Sequence, residues 1–129
     1  MTFEETLKRL AEKEPEKFCY QREEKALTGE LVQLERFWLS HKQWHLLVGR
    51  EPVTQDFIDA ILAGIGWECE ASKSYSVDQA LLVAPQWQAF VWKRQVHYID
   101  PRDYAGAFPT KLEAAKAALI AVVEREYPL

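Results

Sequence analysis

WECEASK, residues 67–73, alternates Trp67, Cys69 and Ala71 with Glu68, Glu70 and Ser72. A two-residue period of this kind marks a strand with one buried face and one wetted face. Upstream, Thr54 is placed to cap a helix, with Val53 and Ile58 at the positions of a hydrophobic staple. Phe57, Ile58, Ile61, Leu62 and Ile65 supply its buried stripe, and Gly64 or Gly66 its exit. Downstream, DQALLVA (78–84) reads as a second, more buried strand ending at Pro85. QWQAFVWKRQVHYID (86–100) reads as one long bent strand or a hairpin turning near Lys93–Gln95. DPRDYAGAFP (100–109) is rich in turn formers and reads as a loop. Thr110 and Glu113 then form a capping box opening a last helix, whose buried side is Leu112, Ala115, Leu119, Ile120 and Val123.

The second half therefore predicts α-β-β-β-α, an antiparallel meander of three to four strands flanked by helices. Thr2 and Glu5 make another capping box, starting a helix with Phe3, Leu7, Leu10 and Ala11 on one side and Pro15 at its close. Residues 16–28 are charged and weakly patterned, and a short helix or loop is expected there. Over 29–49, Leu27, Leu31, Leu34, Trp38, His41 and His45 recur at steps of four and three, which favours a second N-terminal helix stopped by Gly49 and Pro52. QWHLLVG alone would equally pass as a strand. The expectation is an α+β fold of one domain, 1–129, with additional N-terminal helices before the meander.

Bulk properties narrow the function. The 129 residues are 48% hydrophobic and 28% charged, ordinary for a globular protein able to bury a core. Net charge is −4. Residues 1–69 carry 9 Lys and Arg against 13 Asp and Glu, whereas 70–129 carry 7 of each, so the deficit lies wholly in the first half. An acidic surface repels a phosphate backbone, which disfavours nucleic acid as a partner. MTFEETLKRLAEKE is a charged helix without an apolar stretch behind it, and AALIAVV (117–123) is far too short to span a bilayer. A cytoplasmic chain without membrane attachment is expected, with Cys19 and Cys69 as reduced thiols.

Catalytic signatures fail one by one. His41 and His45 stand four apart, the spacing of two helical metal ligands, but Lys42 occupies the place of the glutamate that a helical zinc-protease motif requires. Packing or surface histidines are the expectation, with no metal and no other cofactor. GIGWEC follows a helix and lacks the third glycine of a dinucleotide fingerprint. Asp100 and Asp103 could hold a divalent cation, although Asp-Pro and Pro-Arg-Asp are also turn chemistry. The sequence therefore predicts no enzyme.

The aromatic segment is the strongest lead. Trp87, Phe90, Trp92 and Tyr98 are interleaved with Lys93, Arg94 and His97. By parity, Phe90, Trp92, Val96 and Tyr98 would face the helices while Trp87, Lys93 and His97 face out. The residues expected to hold a partner are Trp87, Trp92, Lys93, Arg94 and His97. A protein partner is favoured, because Trp and Arg concentrate interface energy. A nucleic-acid module that stacks bases on the 87–98 strand is the alternative. The α-β-β-β-α order ending in TKLEAAKAALIAVV resembles the outline of a double-stranded RNA-binding domain. GAFPTKLEAAKAA is similar to the strand-to-helix junction of phage-integrase arm-binding modules. The lysine cluster of the RNA-binding family is reduced here to Lys111 and Lys116 with Glu113 between them, and its glycine-proline-histidine loop is absent.

Overall fold

A computed structural model describes residues 1–40, 44–74, 86–93 and 102–128. The element order is α1 (Phe3–Lys13), β1 (Phe18–Leu27), β2 (Glu30–Leu39), β3 (Trp44–Leu47), α2 (Gln55–Gly64), β4 (Trp67–Ser74), β5 (Gln86–Lys93), β6 (Arg102–Phe108) and α3 (Lys111–Glu126). The α+β class holds, with two antiparallel meanders, β1-β2-β3 and β4-β5-β6. The chain forms two compact units, Met1–Val53 with Val123–Leu129, and Thr54–Val122. Among the described residues, no helix is long and apolar enough to cross a membrane.

The first unit corrects the sequence reading of residues 16–49. FCYQREEKAL and ELVQLERFWL are strands, neither helical nor loose, and pair along their full length, from Phe18 opposite Leu39 to Leu27 opposite Glu30. The link is a two-residue turn, Thr28–Gly29, with φ of 50° and 83°. Two positive φ values give the backbone twist that joins antiparallel strands tightly, and Gly29 meets that demand without a side-chain clash. β3 adds to the other side of β2, placing Leu46 opposite Phe37. Gly49, expected to stop a helix, instead takes φ 77° in the turn after β3.

α1 forms as its capping box predicts. Glu5 N–H donates to Thr2 Oγ1 at 3.1 Å, and Thr2 N–H donates to the Glu5 carboxylate at 3.3 Å. Leu7 and Leu10 are fully buried, as are Phe18 and Phe37, whose rings stack at 5.7 Å. The tail of the chain belongs to this unit: Arg9 donates to the Tyr127 carbonyl at 3.3 Å, and the Tyr127 hydroxyl to Glu14 at 3.1 Å. Burial first, and then the Glu14 carboxylate, push the Tyr127 hydroxyl up to about 12.

Among the described residues the second unit also runs α-β-β-β-α, though its three strands are not the three expected. Thr54 caps α2 by accepting from Phe57 N–H at 3.2 Å, and Thr110 caps α3 by accepting from Glu113 N–H at 3.1 Å. WECEASK is a strand, paired along its length with β5. The DQALLVA segment lies outside the described residues. Residues 102–108, read as a loop, form β6. They pair with β5 through an irregular register in which Trp87 faces Phe108 while Ala89 faces Tyr104. Over this stretch β6 carries two more residues than β5, a bulge in the ladder. On α3 the buried stripe is Ala114, Ala115, Ala118, Leu119, Val122 and Val123, rotated from the predicted one; Leu112 and Ile120 are only half-buried.

Candidate functional site

In the second unit, the register sorts the aromatic strand into two faces. Trp67, Cys69 and Ala71 lie opposite Lys93, Val91 and Ala89, whereas Glu68 and Glu70 lie opposite Trp92 and Phe90. Ala89 and Val91 are fully buried and Trp67 is 4% exposed, so the first set is the core face. The parity drawn from the sequence is therefore reversed. Trp87 shares the buried face with Ala89 and Val91, and the half-exposed Phe90 and Trp92 occupy the other.

Trp92 is held by its own sheet. Its indole N–H donates to the Glu68 carboxylate directly across the ladder at 2.7 Å. Lys93 ends exposed, with its ammonium 5.6 Å from the centre of the Trp67 ring. Arg94 and His97 lie outside the described residues, as do Val96, Tyr98 and Asp100. The structure thus brings Trp92, Phe90, Glu68 and Glu70 together. It does not place Trp87 with them.

Cys69, on the core face, is pushed up to about 12, first by burial and then by the Asp59 carboxylate; it is a thiol, not a nucleophilic thiolate. Both cysteines are free. His45 lies on β3, exposed, with its ring 5.8 Å from that of Trp38. The helical spacing argument for a metal pair thus loses its premise, and His41 lies outside the described residues. Among the described residues, no group of three or more metal-ligating side chains comes together.

The first unit carries a cluster that the sequence reading missed. Tyr20 and Arg22 follow one another on the same face of β1, with Glu35 of β2 opposite Arg22. The Tyr20 hydroxyl and Arg22 Nε, the latter at 3.0 Å, both donate to the Glu35 carboxylate. From α1, the Lys8 ammonium lies 5.4 Å from the centre of the Tyr20 ring. The Tyr20 hydrogen bond, aided by Arg22 and Lys8, holds Glu35 below its ordinary value of 4.5 against the opposing effect of burial. Burial and then the Glu35 carboxylate raise Tyr20 above its usual 10.0. Beside this cluster lies an open groove of about 550 Å³, lined by α1 and the segment after it (Lys8, Ala11, Glu12, Pro15) and by β1 (Phe18, Cys19, Tyr20, Arg22). The alternation of Tyr20 and Arg22 before a Thr-Gly turn was the signal available.

Both shifts give a pH prediction. A depressed Glu35 contributes stability that is complete above 4.5 and lost as pH falls through its folded value. A raised Tyr20 contributes stability complete below 10.0 and lost as pH rises beyond it. Urea midpoints followed from pH 3 to pH 11 should therefore decline at both ends. Tyr20→Phe should cost about 1 kcal/mol at neutral pH and flatten both limbs. Unchanged limbs in the variant would remove the pair from the explanation.

No protein-family model matches this chain, and no curated protein or solved structure is significantly similar to it.

Proposed function

We propose that this chain is a small non-enzymatic binding protein of the cytoplasm that holds a protein partner against the Phe90–Trp92 face of its second sheet. The observation that carries this is the pairing of two half-exposed aromatics with two carboxylates, Glu68 and Glu70, directly across the ladder. Aromatic anchors concentrate binding energy where a partner can cover them. Flanking carboxylates select a basic protein surface over a phosphate backbone. Within β5 the only cation is Lys93, and it belongs to the opposite face, over Trp67. That placement supports a protein partner above stacked bases.

The test is recovery of bound material from a lysate with and without nuclease, followed by affinity measurement on the identified partner. Trp92→Ala should weaken binding about thirtyfold, equivalent to about 2 kcal/mol. Glu70→Lys, a change at an exposed position, should weaken it about tenfold without altering the melting temperature. A complex that nuclease dissolves, or one indifferent to both changes, would overturn the reading.

A further inference from the structure

Trp92 is anchored within its own sheet. Its indole N–H, the one polar group of the ring, is donated to the Glu68 carboxylate at 2.7 Å. The polar edge of the indole is therefore occupied, and what this half-exposed ring has left to offer is its π-face.

The ladder sets two rows around it. One pairs Glu68 with Trp92. In the next, Glu70 of β4 lies opposite Phe90, and the register of β6 puts Asp103 opposite Phe90 on the other side. Neither row contains a lysine or an arginine. Lys93 and Arg102 pair in register with Trp67 and Val91, residues of the core face. Glu70 is exposed.

These neighbours choose the occupant. An apolar side chain pressed onto Trp92 would strip water from the carboxylates and return no partner. A phosphate would meet them with like charge. A cation answers both the π-face and the carboxylates. Of the two cationic side chains, lysine carries a compact, strongly hydrated charge that points at one group at a time. A guanidinium is planar, so it can stack on the indole while its edge donors turn to a carboxylate. Glu70 is the diagonal neighbour of Trp92 across the ladder, a separation of about 7–8 Å that long side chains bridge.

We infer that the partner anchors itself through one arginine, whose guanidinium stacks on the Trp92 indole and donates to the Glu70 carboxylate. This rests on the Phe90–Trp92 face being the docking surface proposed above, and adds the chemistry of the residue that docks there.

The probe is a blocked pentapeptide with one central arginine among glycine and serine residues, titrated into the full chain. Binding is followed by the Trp92 indole N–H resonance, which Trp92→Phe identifies by its loss. Counterpart peptides carry lysine, trimethyl-lysine or citrulline at the centre. The arginine peptide is expected to shift that resonance saturably, with a Kd on the order of 10 mM, the scale of one side chain taken out of its protein. Lysine should bind at least about threefold more weakly, and citrulline, which keeps the plane and loses the charge, should cause no shift. Glu70→Gln should weaken the arginine peptide about fivefold. Lysine or trimethyl-lysine binding as tightly as arginine would refute the guanidinium anchor. So would citrulline binding equally well, or a silent resonance at roughly 50 mM peptide. Any of these results, with a protein partner still weakened by Trp92→Ala, strikes the arginine alone and leaves the docking face standing. A recovered partner indifferent to Trp92→Ala removes the docking face, and the anchor with it, whatever the peptides do.

Discussion

Phe37→Ala is expected to destabilise the first unit by about 3–5 kcal/mol. Phe37 sits on the central strand of its sheet, opposite Tyr20 on one side and Leu46 on the other, and none of its surface is exposed. Its ring stacks on Phe18 at 5.7 Å with an interplanar angle of 19°. Truncation removes the transfer energy of a buried ring and leaves a cavity walled by ladder-held strands, which collapse poorly. Hydrogen exchange on the amides of β1, β2 and β3 would read the loss directly, because opening of this unit is reported by its own ladder. The control lies six residues earlier on the same strand. Leu31 is 76% exposed, and Leu31→Ala should cost less than about 0.5 kcal/mol. Comparable losses at the two positions would contradict the placement of the core.

That contrast also explains why the first unit was hard to read. Leu31, Leu34 and Trp38 follow helical steps, yet one is exposed and the true core residue between the last two is Phe37. β2 buries Leu34 on one face and Phe37 and Leu39 on the other. A strand covered on both faces loses its two-residue period, and a chance spacing of four and three then passes for a helix. β1 misleads for the opposite reason: past Tyr20 its polar residues fall on both faces, so no alternation survives. The Thr-Gly turn carried the decisive information, because a tight two-residue link between two ten-residue segments specifies a hairpin whatever the side chains suggest.

The second unit was legible where periodicity and caps agree. Thr54, Thr110 and WECEASK each form the element expected of them, because a side-chain cap and a one-sided strand are local signals. The aromatic strand was located correctly but turned the wrong way round. Its face is decided by what the neighbouring strand brings opposite it, and Glu68 and Glu70 opposite Trp92 and Phe90 are a tertiary fact. The Tyr20–Glu35–Arg22 cluster is likewise a product of register: its members are 13 and 15 residues apart in sequence and meet only once the hairpin closes.

Gln21→Pro is expected to cost about 1–3 kcal/mol, although the side chain it removes is exposed. The backbone decides this case. Ser40 N–H donates to the Lys17 carbonyl at 2.9 Å, and hydrogen-bonded pairs recur at every second residue from there, which makes Gln21 and Arg36 one of them. Proline at 21 thus deletes a ladder donor that points into the sheet. Gln21→Ala, which keeps the donor, should stay within about 0.5 kcal/mol of the parent. One residue further, Arg22 turns its N–H away from β2, to the edge that no strand occupies among the described residues, and proline at that position should be tolerated far better. Urea titrations of the three variants therefore measure the parity of β1 without reference to any ligand. If prolines at 21 and 22 prove equally damaging, the backbone of Arg22 is already engaged, and β1 is not an open edge. If the order is reversed, the ladder is shifted by one residue, and every side chain assigned to the groove would belong to the other face.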